Sequence, residues 1–179
     1  GCERWKTGCY NCPKRSVYPA SWFFDRSKRM YNKKRDWFSR LPDLTLAAPS
    51  RWLGNCVQES FLAGVPLRVL QNGVDLAVFC PTDSDFRDRH GLTGKKIALG
   101  VATPWDERKG LYDCVRLAGL LGPDWTVVLV ALTEKQRRAL PADMLGLPRT
   151  DSAAELAEIY SAADVYINPT YCDTFPTTN

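Results

Sequence analysis

The chain of 179 residues holds one histidine, two methionines and no apolar run long enough to cross a bilayer as a helix. No basic stretch followed by an apolar core opens it, so nothing at the start reads as a secretory signal. Neither G-x-G-x-x-G nor G-x-x-x-x-G-K-[ST] occurs, which argues against a dinucleotide dehydrogenase and a P-loop nucleotidase. His90, the lone histidine, lies in a polar stretch and reads as a surface residue. A secreted disulfide framework is missing too. The seven cysteines are odd in number and scattered through apparent helices and strands, Cys56 and Cys114 among them, and this usage fits a reducing, cytoplasmic setting.

What is present is the balance of an ordinary globular protein, 45% hydrophobic and 25% charged, with length for one large domain or two small ones. Charge is unevenly spread. Residues 1–40 hold eleven Lys and Arg against three acids, whereas the rest of the chain carries a net of −4. The chain opens on Gly1-Cys2 rather than methionine and closes on a polar loop, so the expectation is a piece of a longer protein.

Periodicity sets out the elements. A short apolar strand at 44–48 runs into Pro49-Ser50, where Ser50 N-caps a helix over Arg51–Leu62. Trp52, Leu53, Cys56, Val57 and Phe61 share one helical face and are expected in the core. Gly64-Val-Pro66 stops the helix, a strand follows at 67–70, and Asn72-Gly73 marks a turn that tolerates positive φ. A change of domain is expected within 65–82, giving domains of 1–66 and 67–179; the polar stretch 82–96 reads as loop or short helix. From Lys96 the pattern is regular: strands at 97–102, 126–131, 144–147 and 165–167 alternate with helices at 111–121, 134–140 and 152–162. That alternation predicts an α/β fold with a parallel, doubly wound sheet.

Two loops then carry the functional expectation, because ligands of such sheets bind at the carboxyl ends of the strands. After the first regular strand, Thr103-Pro-Trp-Asp-Glu-Arg-Lys109-Gly110 leads into a helix, so a cation and backbone amides could seat a diphosphate. Arg108 and Lys109 could equally be a solvated pair. After Asn168-Pro169 come Thr170, Asp173, Thr174 and Phe175, placed where a substrate would bind, although Asp173 could simply cap a following helix.

These segments carry a resemblance. Asn72-Gly73-Val74-Asp75 with Phe79-x-Pro81, Lys109-Gly110, Tyr160-Ser-Ala-Ala-Asp164-Val and Pro169-Thr-x-x-Asp173-x-Phe175-Pro occur in the order and spacing of glycosyltransferase family 4. The segment from Trp5 to Pro13 is similar to one in bacterial exopolysaccharide and colanic-acid-type transferases. The resemblance implies a GT-B architecture, partial here: residues 1–66 as the end of the N-terminal, acceptor-side Rossmann-like domain, and 67–179 as most of a C-terminal donor domain. It implies transfer of a hexose from a nucleoside diphosphate sugar to a glycan or lipid-linked acceptor, with retention, in cell-surface polysaccharide synthesis. No cofactor is needed for that chemistry. Lys109 would neutralise the departing diphosphate and Asp173 would orient the sugar, both as catalytic residues, with Arg108, Gly110, Thr170, Thr174 and Phe175 completing the donor site. The sequence departs from the family in two places. Asp173 stands where the family usually has Glu, the partner Glu eight positions on falls beyond Asn179, and Pro104 lies near where many members carry an Arg. On this reading the chain alone would not turn over substrate.

Residues 1–40 call for a separate account. Cys2, Cys9 and Cys12 have a spacing that could supply three thiolates to a structural zinc, a fourth ligand coming from elsewhere, or remain free thiols. Residues 22–38 interleave cations with aromatics, which suits an anionic surface such as a membrane leaflet or a pyrophosphate-linked acceptor, or else is a solvated helix face. The preferred version is peripheral contact at the inner face of the membrane. A Cys-rich, basic nucleic-acid-binding module competes, but it leaves the Asn-Gly-Val-Asp and Asp173 segments without a role, so nucleic acid is the less favoured partner. A non-catalytic sugar-nucleotide-binding protein is the third alternative.

Overall fold

The computed structural model describes residues 2–16, 21 and 23–178; Trp22, part of the basic aromatic segment, lies outside the described residues. The chain forms two compact units, Gly1–Asn72 and Gly73–Asn179.

In the first unit, helix α1 (Ser27–Phe38) precedes strand β1 (Leu46–Ala48), helix α2 (Arg51–Gln58) and strand β2 (Leu67–Val69). The strands pair in parallel, Ala47 opposite Arg68. Leu67–Val69, expected at the start of the second domain, therefore belongs to the first sheet, and the division falls after Asn72 rather than after residue 66. The Ser50 hydroxyl accepts from the Leu53 amide and starts α2 as its sequence position predicts. One expectation for this helix fails: Trp52 is 58% exposed. The helix turns Gly54 onto the two strands, where a Cβ would stand 3.3 Å from the Leu67 side chain. Trp52, two residues away, is rotated by about 200° and points outward.

The second unit is a four-stranded parallel sheet ordered β5-β4-β3-β6, where β3 is Lys96–Val101, β4 Trp125–Val130, β5 Met144–Gly146 and β6 Val165–Tyr166. Helices α3 (Phe86–Arg89), α4 (Leu111–Ala118), α5 (Glu134–Arg138) and α6 (Ala153–Ser161) connect the strands. The alternation of residues in β3 decides the layers. Ile97, Leu99 and Val101 pack with Phe86, Leu92, Ile159 and Ala162, from α3 and its exit and from α6 and its exit. Ala98 and Ala102 face the opposite way, toward Trp105, Cys114 and Ala118. Both sheet faces are therefore covered, as the near-continuous apolar runs of β3 and β4 require. Each such Ile, Leu or Val contributes about 1.5–3 kcal/mol of burial. The polar stretch after Thr82 holds a short helix because Phe86 is buried in this core, and His90 is exposed beside the Phe86 ring.

Strand order places the site. The chain runs outward from β3 to β4 and β5, then returns to the other side of β3 with β6. The order therefore reverses between β3 and β6, and in open parallel sheets ligands bind in the crevice at the carboxyl ends of the strands at such a point.

Candidate functional site

The loop after β3 is anchored before it reaches the crevice. Trp105 is buried, donates its indole N–H to the Val130 carbonyl at 2.6 Å and accepts at its own carbonyl from Gln136 at 2.7 Å. The ring lies over β3 at Gly100, where a Cβ would come within 3.1 Å of it. The Asp106 side chain then accepts from the Lys109 amide at 3.1 Å, closing a 3-10 turn over Glu107–Lys109. Gly110 ends that turn at φ +73°, and a Cβ there would meet the Pro169 carbonyl oxygen at 2.6 Å. Only glycine satisfies both the dihedral and the approach. Gly110 thus brings the β3 loop directly against the β6 loop.

The β6 loop is tied to the same turn. The Tyr171 amide donates to the Arg108 carbonyl at 2.9 Å, and the Thr170 hydroxyl donates to it at 3.3 Å. The Asn168 side chain accepts from the Thr170 amide at 3.3 Å. This local turn follows from Asn-Pro breaking the strand. The result is that Lys109 and Asp173, 64 positions apart, meet: Lys109 Nζ donates to Asp173 Oδ2 at 2.6 Å. The other oxygen, Oδ1, accepts from the amides of Thr174 at 2.7 Å and Phe175 at 3.3 Å. Lys109 first, then these amides, hold the Asp173 carboxyl below the ordinary carboxylate range, against partial burial acting the other way.

The pair borders a cavity of about 290 Å³ whose other walls include Thr103, Asn168, Phe175, Thr177 and Thr178. Lys109 is the sole cation and Asp173 the sole acid among its lining residues. The cavity can therefore offer a cation and a carboxylate, side by side, to a ligand carrying both negative charge and hydroxyls. A larger, mostly apolar cavity of about 730 Å³ adjoins it through Thr177 and Thr178, lined by Phe79, Pro81, Leu156 and Tyr160 among others. Phe79 and Tyr160, from two of the singled-out motifs, meet edge-to-face there, and the Tyr160 hydroxyl donates to the Thr178 carbonyl at 2.6 Å.

The structure brings some of the expected site residues together and separates others. Lys109, Asp173 and Phe175 line the cavity. Arg108 does not: its guanidinium donates twice to Asp106 Oδ2, at 2.8 and 3.1 Å, and the side chain borders a different groove with Tyr112 and Tyr171. Gly110 acts by packing, and two amides of this turn are occupied within the loop. The Lys109 amide is taken by Asp106 and the Gly110 amide by the Glu107 carbonyl. Thr170 serves the loop through Arg108, and Thr174 is exposed and contributes its amide to Asp173. Sequence reasoning missed Asn168, Thr177, Thr178 and the anchor Trp105; a lone tryptophan inside a charged loop was the available signal for the last.

Asp164, part of the third motif, has a different task. Its Oδ2 accepts from the Ile97 amide and from Arg87, both at 2.7 Å, while its own amide donates to the Ile97 carbonyl. The Ile97 amide first, and then Arg87, hold its carboxyl below the ordinary range. Asp164 is the clasp that sets the register of β6 on β3.

Cys2, Cys9 and Cys12 form no disulfide, and burial first, then the neighbouring Cys2 and Cys12, raise the Cys9 thiol. Among the described residues no group of three or more His, Cys, Asp or Glu side chains is arranged to hold an ion. No helix among the described residues is long and apolar enough to cross a membrane.

No family model matches the chain. Over 79 residues, 43% of this chain, it is 33% identical to an Escherichia coli (strain K12) protein named "Putative colanic acid biosynthesis glycosyl transferase WcaC", of which the match covers 19%. Among solved structures it is similar to HepE of Anabaena in complex with UDP-glucose, with a TM-score of 0.62 and 18% identity, over 87% of this chain and 45% of that one. It is also similar to sucrose-phosphate synthase from Thermosynechococcus elongatus, with a TM-score of 0.67 and 19% identity, over 92% of this chain and 43% of that one. The chain spans less than half the length of each of these proteins. At this identity the likeness shows the fold, which is the GT-B type in part.

Proposed function

We propose that this chain is part of a glycosyltransferase, its second unit binding a nucleoside diphosphate sugar and its first forming part of the acceptor side. The single observation that carries the reading is the Lys109–Asp173 pair bordering a cavity where the loops after β3 and β6 meet. Support comes from the sequence match to a glycosyl transferase and from the HepE structures, whose ligands are UDP-glucose, UDP and glucose.

The chemistry follows from the two side chains. Breaking the anomeric bond of the donor leaves a diphosphate that gains negative charge, and a fixed cation beside it lowers the barrier without reorganising. Lys109 is suited to that role because an ammonium has three donors and Asp173 takes only one. Asp173 has one oxygen held by backbone amides, and the other can turn from Lys109 to sugar hydroxyls when phosphate claims the lysine. In the ligand-free site the pair is electrically neutral, so a donor must compete for Lys109. We assign the finer features by the resemblance: a hexose transferred with retention to a lipid-linked glycan, in the cytoplasm at the inner face of the membrane, toward cell-surface polysaccharide.

Calorimetric titration of the chain with UDP-glucose and UDP tests the donor site. Binding that falls at least tenfold in Lys109→Ala, with Arg108→Ala near wild type, is the expected result. Equal binding by Lys109→Ala and wild type would defeat the phosphate assignment. In the parent enzyme, an unchanged transfer rate for Lys109→Ala would do the same.

A further inference from the structure

The first unit carries a surface that the donor chemistry does not use. Helix α1 rests on its own unit along one side: Tyr31 stands edge-on to Phe61 with ring centroids 5.3 Å apart, and Ser27 and Asn32 are half-buried. On the helical wheel Met30 and Trp37 share a stripe beside that contact, with Lys33 on one flank and Lys34 on the other. Met30 is 42% and Trp37 56% exposed, and just before the helix Phe23 and Phe24 are 84% and 69% exposed. Five cations, Lys28, Arg29, Lys33, Lys34 and Arg35, accompany one acid, Asp36, within its twelve residues. Among the described residues the one ion pair in the helix is the loose contact of Arg35 with Asp36 at 3.8 Å.

We propose that α1 and the residues just before it dock this unit onto an anionic lipid surface. The helix would lie flat, about 18 Å long, with Phe23, Phe24, Met30 and Trp37 at the acyl boundary and the lysines and arginines among the headgroups. A narrow apolar stripe between cationic flanks is the pattern of a surface-lying helix, and each basic residue near an anionic leaflet adds attraction. Lys33 Nζ sits 4.5 Å from the Trp37 ring centroid and so occupies one face of that indole, leaving less of it for a base to stack on. Met30 has no counterpart in base stacking, whereas a bilayer interface accepts both it and the edge of the indole. The inference is independent of the donor site, whose residues lie in the other unit.

Vesicle flotation tests it. The probes are phosphatidylcholine vesicles with about one third phosphatidylglycerol and vesicles of phosphatidylcholine alone, at about 50 mM and about 500 mM salt. Expected is binding to the anionic vesicles at low salt, loss at high salt and little binding to the neutral ones. Lys33→Glu/Lys34→Glu should lower partitioning at least tenfold, since each charge near the surface is worth about fivefold. Trp37→Ser should also weaken it, and Arg51→Glu on α2 should bind as wild type. The substituted side chains are exposed, and unchanged thermal unfolding confirms that the variants fold. Absent binding to anionic vesicles at low salt, equal binding to both vesicle types, or indifference to the lysine reversal would each overturn the proposal. So would displacement from vesicles by a single-stranded oligonucleotide that binds through Lys33 and Lys34, which would make this a nucleic-acid surface.

Discussion

At the amino end of β6, Asp164 accepts from the Ile97 amide and from Arg87, and both of its partners belong to the packed body of the second unit. Beyond the carboxyl end, Asp173 accepts from Lys109 and from two amides of its own loop, and the pair faces a cavity. Both carboxylates are held below their ordinary range, so the direction of a pKa shift does not separate them. What separates them is where the partner comes from. An acid that pairs with a strand amide closes the sheet; an acid that pairs with a side chain displayed from a loop leaves a charge that a ligand can claim. Perturbed acids in an unassigned structure are better sorted by their partners than by their shifts.

The difference holds only if the carboxyl end is built rigidly enough to keep Lys109 and Asp173 together. Gly110→Ala strikes at that directly, because the new Cβ takes a left-handed dihedral and meets the Pro169 carbonyl at 2.6 Å. The expected cost is about 2–4 kcal/mol, adding left-handed strain to overpacking, read as a fall in the denaturation midpoint together with loss of UDP-glucose binding. A variant of wild-type stability would mean that the two loops move apart easily. At the other end, Asp164→Ala removes an acceptor from the Ile97 amide and leaves Arg87 without its carboxylate. A loss of about 1–2 kcal/mol is expected, with fast amide exchange at Ile97, while Asp173→Asn leaves that amide protected. Protection at Ile97 in Asp164→Ala would deny the clasp.

Much of the second unit was legible in the sequence. Strands at 97–102 and 126–131 were visible because strands buried on both faces must be continuously apolar, and the helix expected over 152–162 forms as α6, with Ser152 as its N-cap. Lys109 and Asp173 could be named from their place after strands, since parallel sheets put ligands at that edge. Their pairing was not legible, because the spacing of 64 residues says nothing until β6 returns to the side of β3. Arg108 shows the opposite limit. Beside Lys109 in sequence it looked equivalent, but a 3-10 turn sends neighbouring side chains about 120° apart, and Asp106 was within reach of one of them. In the first unit the periodicity chose a face on which Leu53, Cys56, Val57 and Phe61 are half-buried, but Trp52 lies outside it, because Gly54, which has no side chain to score, is the residue that packs.

Acid should act on both ends together. Each carboxylate has a folded-state pKa below its unfolded value of about 4, so the unfolded chain binds more protons in this range and stability falls as pH falls. The contribution is complete above the unfolded value and gone once pH drops through the depressed folded values. Wild type should therefore lose stability steeply below about pH 4, and the double variant Asp164→Asn/Asp173→Asn should show a flatter slope there. An identical slope in the double variant would assign acid sensitivity to other carboxylates.

The smallest expected effect bears on the comparison most closely. Lys109 and Asp173 are 26% and 21% exposed at their side chains, so the pair is partly screened and its net coupling should be about 0.5–1 kcal/mol. A double-mutant cycle of Lys109→Met and Asp173→Asn measures that coupling free of each substitution's other consequences. Run without ligand, it should return this modest value, because the two side chains stabilise each other more than they stabilise the sheet. Run with saturating UDP-glucose, it should shrink toward zero as phosphate oxygens take the lysine and hydroxyls take the carboxylate. Coupling that is unchanged by the nucleotide sugar would mean the pair is a second clasp like Asp164 and Arg87, and the two ends of the sheet would then differ in exposure alone.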